Sequence, residues 1–72
     1  MGILLDPRSG PKANADQIRF IEILAGDLSF NREARNAHVS DIAGRTIKYL
    51  DELSMAEAIK VIDQFRTWKY KL

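Results

Sequence analysis

Apolar positions recur at helical spacing in two stretches of this chain. In "ADQIRFIEILAGDL" the residues Ile18, Ile21, Leu24, Ala25 and Leu28 follow one another at three- and four-residue steps, which predicts a first helix. Phe20 and Ile23 widen that stripe beyond one face, as expected of a helix with two neighbours. Asn14 is a good N-cap, and Gln17 stands three residues on, the pattern of a capping box. Asp16 puts negative charge in the first turn, where the helix dipole favours it. Gly26 weakens the last turn, and "DLSFN" breaks the pattern. In "LSMAEAIKVIDQFRTW" the expected core stripe is Met55, Ala58, Ile59, Ile62 and Phe65, with Val61 and Trp68 on its flank. Ser54 and Glu57 supply a second capping box at its start.

Between these stretches the pattern thins. A second helix is expected from the cap Asn31 to about Ala43, on a face of Ala34, Ala37 or His38, Val39 and Ile42. Gly44 is its stop. "RTIKYLDEL" carries Ile47, Leu50 and Leu53 with Tyr49 beside them, read as a short helix or irregular turn. Residues 1–13, "MGILLDPRSGPKA", hold both prolines and two of the four glycines, which predicts an extended arm. That arm is a disordered leader, a vector-derived remnant, or a short apolar anchor packing through Ile3, Leu4 and Leu5. No strand-like alternation and no internal repeat appears. The expected fold is all-α: a small bundle of three main helices plus one short helix or turn, with an extended N-terminal arm on 1–13 and a single helical domain on 14–72.

Composition narrows the function. Of 72 residues, 46% are hydrophobic and 29% charged, an ordinary globular balance. The absence of cysteine excludes disulfides and thiolate metal sites. Eleven basic and ten acidic side chains leave a net charge of +1, so any attraction to nucleic acid must come from local clusters. Ile3-Leu4-Leu5 is too short for a membrane span or a secretory core, and Asp6 spoils a myristoylation signal. A cytoplasmic protein is expected.

Candidate chemistry is sparse. His38 is the only histidine, with Asp41 three residues later, but no serine sits in a nucleophile motif. One histidine and scattered carboxylates make no closed metal-ligand set, and no glycine-rich phosphate loop is present. No catalytic residue, metal or cofactor is expected. Binding is better supported. Arg66, Trp68, Lys69, Tyr70 and Lys71 interleave cations with aromatics and include no acid, a composition suited to phosphates and unpaired bases. A solvated helix end closing the core reads equally well from the same residues. Arg32, Arg35, Arg45 and Lys48 form a second cationic set, interrupted by Glu33 and Asp41.

The order of the two strong helices resembles a small helical module of phage and bacterial DNA-metabolism proteins. It is similar to the C-terminal tails of single-strand-annealing or recombination proteins, and to the helical region of Mu-type phage regulatory proteins. Gln17, Ile18, Ile21, Leu24 and Ala25 match the "QI..I..LA..L" half. Leu53, Ser54, Glu57, Ala58, Ile62 and Phe65 match the later "L(S/T)..EA..(V/L)I..(L/F)" half. The resemblance covers about residues 15–68, mostly core and capping positions. "NREARNAHVSDIAGRTIK" has no counterpart in the pattern, and no annealing domain accompanies it. What the resemblance implies is a setting in phage-like DNA processing, without strand annealing itself.

Two functional expectations follow. One is a non-enzymatic accessory or adaptor domain in phage-like DNA recombination, replication or repair. It would act by protein contacts and weak single-stranded nucleic-acid binding, through Arg66, Trp68, Lys69, Tyr70 and Lys71, with Arg32 and Arg35 as a second patch. The other is a protein-interaction or inhibitor module that docks on a host protein without nucleic acid, through an exposed patch of Phe20, Ile23 and Trp68. Homodimerisation to cover the wide first helix is a third expectation.

Overall fold

The computed structural model describes residues 10–71. Three helices follow in order: α1 (Ala15–Asp27), α2 (Arg32–Ala43) and α3 (Met55–Tyr70), with one 3-10 turn at Leu50–Glu52 before α3. No strand occurs among the described residues, so the all-α bundle expected from the pattern is the fold. Of the expected arm, only 10–13 lie in the described part; Ile3, Leu4 and Leu5 lie outside it.

Each helix starts where its cap chemistry dictates. The Asn14 side chain accepts from the Gln17 N–H at 2.7 Å, and the Gln17 side chain accepts in return from the Asn14 N–H at 3.0 Å. The Asn31 side chain accepts from the Ala34 N–H at 2.7 Å. Ser54 Oγ accepts from the Glu57 N–H at 3.1 Å, and Glu57 Oε1 accepts from the Ser54 N–H at 2.9 Å. Gly44 ends α2 in the left-handed region at φ 76°, its N–H donating to the Ser40 carbonyl at 2.9 Å. The end of α1 is less conventional. Ser29 holds φ 62° without being glycine, a conformation that costs an L residue roughly 1–2 kcal/mol. Its N–H donates to the Gly26 carbonyl and the Phe30 N–H to the Ala25 carbonyl, closing a Schellman turn that delivers Phe30 to the core.

The helices α1 and α3 run in the same direction. At one end the Ala13 N–H donates to the Leu53 carbonyl at 3.0 Å and the Met55 N–H to the Pro11 carbonyl at 2.8 Å. At the other, Lys69 Nζ reaches Asp27 Oδ2 at 2.6 Å. The core between the elements is Ile21, Leu24, Ala25, Val39, Ile47, Leu50, Leu53, Ala58, Val61 and Phe65. The buried face of α3 differs from the expected stripe: Val61 is fully buried, whereas Ile59 is 51% exposed. Packing against both α1 and α2 rotates the helix towards Val61, a choice that spacing along one helix cannot reveal. On α2 only Val39 is fully buried, and His38, not Ala37, is the half-buried neighbour.

One polar interaction joins the loop after α2 to the start of α3. Arg45 donates from Nε to Glu57 Oε2 at 3.0 Å and from Nη2 to Glu57 Oε1 at 2.8 Å. A further Arg45 Nη2 contact reaches the Glu52 carbonyl at 2.8 Å. The Glu57 carboxylate, 1% exposed, therefore accepts from both the guanidinium and the Ser54 amide. Those donors hold its pKa below the usual carboxylate range, the Arg45 hydrogen bond contributing most. Arg45 thus leaves the cationic set assigned to it above: it is an internal strut.

Candidate contact site at the end of the third helix

The final turns of α3 carry the aromatic and basic residues expected to bind, and the fold divides them. Phe65 points fully inward, and its ring stacks on Trp68 with centroids 5.6 Å apart. Phe30 meets Phe65 edge-on at 5.6 Å and Trp68 edge-on at 6.2 Å. His38 stacks on Phe30 at 4.5 Å and meets Trp68 edge-on at 5.1 Å. Offset and edge-to-face pairs of this kind each add about 0.5–1.5 kcal/mol beyond the area they bury. Trp68 is half-buried within this cluster. Its remaining surface, with Leu28, Phe30, His38 and Lys71, lines an open, mainly apolar groove of about 570 Å³.

Tyr70 stands apart, 70% exposed, beside Asp63, Arg66 and Thr67 around a second shallow hollow of about 440 Å³. Arg66 and Lys71 are exposed. Lys69 is committed to Asp27, and that hydrogen bond raises its pKa above the ordinary lysine value. Its Nζ also lies 5.3 Å from the centroid of the Tyr70 ring. Of the three cations expected here, two project freely from the helix end and one is bound to α1.

The second patch gathers elsewhere. Arg32, Arg35 and Lys48 line a hollow of about 290 Å³ with Ile18, Glu22, Tyr49, Leu50 and Asp51. Arg35 Nη1 lies 3.9 Å from Glu22 Oε2, and Arg35 Nε donates to Asn36 Oδ1 at 3.2 Å. Glu52, next in the chain to Asp51, accepts from the Tyr49 and Lys48 amides, which lower its pKa. Cations and carboxylates alternate here, a weaker field for a polyanion than a one-sign surface. The two patches surround different grooves.

Phe20, Ile23 and Trp68 do not form one surface either. Phe20 and Ile23 share a groove with Ile62, while Trp68 belongs to the Phe30–His38 cluster. Leu28, Phe30 and His38 escaped the sequence reading of this site. Phe30 lies outside both strong helical stripes, and only the left-handed turn at Ser29 carries it there. Among the described residues, no three His, Asp or Glu side chains gather where they could hold a metal ion, and no helix is long and apolar enough to cross a membrane.

These features define a small helical domain with an apolar groove and a basic–aromatic tip at one end of α3. No known protein family matches this chain, and comparisons with curated proteins and with solved structures return no match.

Proposed function

We propose that this chain is a non-enzymatic contact module whose working surface is the C-terminal end of α3. A protein partner seats an apolar side chain in the groove of Leu28, Phe30, His38, Trp68 and Lys71. The observation that carries this reading is a partly exposed aromatic cluster bordered by a cation, a combination typical of the anchoring pockets of protein interfaces. The resemblance of the two strong helices to phage-type DNA-metabolism modules supports an accessory role in recombination, replication or repair, in the cytoplasm.

Weak single-stranded nucleic-acid binding accompanies this role. The observation favouring it is Tyr70, whose exposed ring shares a shallow hollow with Arg66, next in the chain to the exposed Lys71. An exposed ring stacks on an unpaired base for about 1–3 kcal/mol, and each phosphate contact adds about −0.7 to the salt slope. Two unengaged cations therefore give a slope of roughly −1.4 in log K against log salt. Fluorescence anisotropy of a labelled oligothymidylate measures this. Tyr70→Ala is expected to weaken binding about tenfold, and Arg66→Ala to flatten the slope by about 0.7. Trp68→Ala is the poorer probe, because that ring also supports the core. Absence of binding at low salt removes the nucleic-acid component and leaves the docking module, the rival from the sequence, with its surface moved from Phe20 to the Trp68 groove.

A further inference from the structure

A second surface, distinct from the α3 tip, lies along the seam between the parallel helices α1 and α3. Phe20, Ile23 and Ile62 line an open groove there of about 440 Å³. Ile59 extends it by one helical step from Ile62. Phe20 is 40% exposed, Ile23 52% and Ile59 51%, more apolar surface than scattered single residues would present. Asn14 borders the groove where the helices start, with Asp16 and Arg19 also on its lining. Towards the other end stands Asp27, on the same face of α1 as Phe20 and Ile23 by helical spacing and joined to Lys69 of α3. Asp16 and Arg19 enter no ion pair among the described residues.

The chain enters the fold at the end of the groove that Asn14 borders. Residues 11–13 run antiparallel to 53–55: the Ala13 N–H donates to the Leu53 carbonyl, the Met55 N–H to the Pro11 carbonyl, and Lys12 Nζ to the Glu52 carbonyl at 3.4 Å. Followed backwards from Ala13 to Pro11, the chain therefore passes Leu53 and then Met55, the direction in which α3 sets out. Residues 1–9 precede this point. They can reach roughly 28 Å at a polyproline rise of about 3.1 Å per residue. The seam from Asn14 to Asp27 is only about 20 Å long at about 1.5 Å per residue. Pro7 disfavours helix at Asp6, which favours the longer reach.

The segment also carries complementary groups in matching order. Counting back from Gly10, Arg8 comes first, then Asp6, then Leu5, Leu4 and Ile3. Counting along α1 from Asn14, the groove offers Asp16, then Arg19, then Phe20 and Ile23. Each charge meets its opposite, and the apolar run falls on the apolar stretch. We propose that Ile3–Leu4–Leu5 docks in the groove of Phe20, Ile23 and Ile62, latching the N-terminal segment along the α1–α3 seam, with Arg8 beside Asp16 and Asp6 beside Arg19. The groove of Leu28, Phe30, His38, Trp68 and Lys71 shares no residue with this one, so the inference stands apart from the proposed function.

Nuclear magnetic resonance of the full chain, at low and at high concentration, tests it. The methyls of Ile3, Leu4 and Leu5 should show nuclear Overhauser contacts to the Phe20 ring at both. The triple variant Ile3→Ser/Leu4→Ser/Leu5→Ser should keep its helical circular dichroism spectrum, because no residue of the described core changes. Its Tm should fall by roughly 5–10 °C as the groove loses its cover. Phe20→Ala should lower the Tm of the wild type, and by less than half as much that of the triple variant, the coupling expected of groups in contact. Absence of the Overhauser contacts overturns the proposal. So does a triple variant that melts with the wild type, or losses that simply add. Contacts that grow with concentration, alongside a doubled mass in sedimentation equilibrium, would put the segment in the groove of a second copy and overturn the latch within one chain.

Discussion

Arg45→Met is expected to cost about 3–5 kcal/mol, because it leaves the Glu57 carboxylate buried without its counter-ion. A domain of this size loses roughly 4–8 °C of Tm per kcal/mol, so thermal denaturation should register a fall of at least 12 °C. The pH dependence gives a sharper signature. In the wild type the Glu57 pKa lies below the ordinary value of 4.5, so the unfolded chain binds more protons. The contribution is complete above about pH 4.5 and is lost as pH falls through the folded value. Glu52, held low by the Tyr49 and Lys48 amides, acts in the same sense. In Arg45→Met the sign at Glu57 reverses. A buried, unpaired carboxylate takes a raised pKa, so lowering the pH from 7 towards 5 should narrow the gap to wild type. Glu57→Gln removes the charge but keeps the shape, and should flatten the acid limb of the stability curve. Equal losses for Arg45→Met at pH 5 and pH 7 would show that the pair is not the strut described.

Phe65→Ala is expected to bring the domain close to unfolding. The side chain is fully buried, and large-to-small changes at such sites cost about 3–5 kcal/mol. The ring also supports both Trp68 and Phe30, whose aromatic pairing adds about 0.5–1.5 kcal/mol per contact. A chain of 72 residues has roughly 4–11 kcal/mol in total, at about 0.05–0.15 per residue. Trp68 is the only tryptophan, so its fluorescence in a urea titration reports this cluster directly. The midpoint should fall by more than half, and the native emission should shift to the red as the indole loses Phe65. An unfolding free energy within about 1 kcal/mol of wild type would mean that the cluster is not the closing layer of the core.

Features set within four residues of sequence were legible, and those set across the fold were not. Asn14 with Gln17, Asn31, Gly44, and Ser54 with Glu57 all act where they were expected. Their hydrogen bonds run between close neighbours in the chain, and the side chains alone specify them. Glu57 shows the limit. Its capping role could be read, but its second carboxylate oxygen faces Arg45, twelve residues away, through a loop whose course no local rule supplies. Exchange of Ile59 for Val61 on the buried face of α3 has the same origin, since two neighbouring helices decide which stripe is inner. The binding tip was half legible. Tyr70, Arg66 and Lys71 project from the end of α3 as the composition suggested, while Lys69 is taken by Asp27 and Trp68 by the aromatic cluster. The Arg32–Arg35 patch proved to be a mixed-charge hollow because Glu22 and Asp51 reach it from other elements.

The central claim is that this protein works by contact at the end of α3. Placing the photo-crosslinker benzoylphenylalanine at Tyr70, and separately at the exposed Ala56 at the opposite end of α3, tests it most directly in a lysate of the source cells. The account predicts a discrete adduct from the Tyr70 position alone, persisting after nuclease treatment and lost with Lys71→Glu. Adducts from neither position, or the same adducts from both, would contradict it.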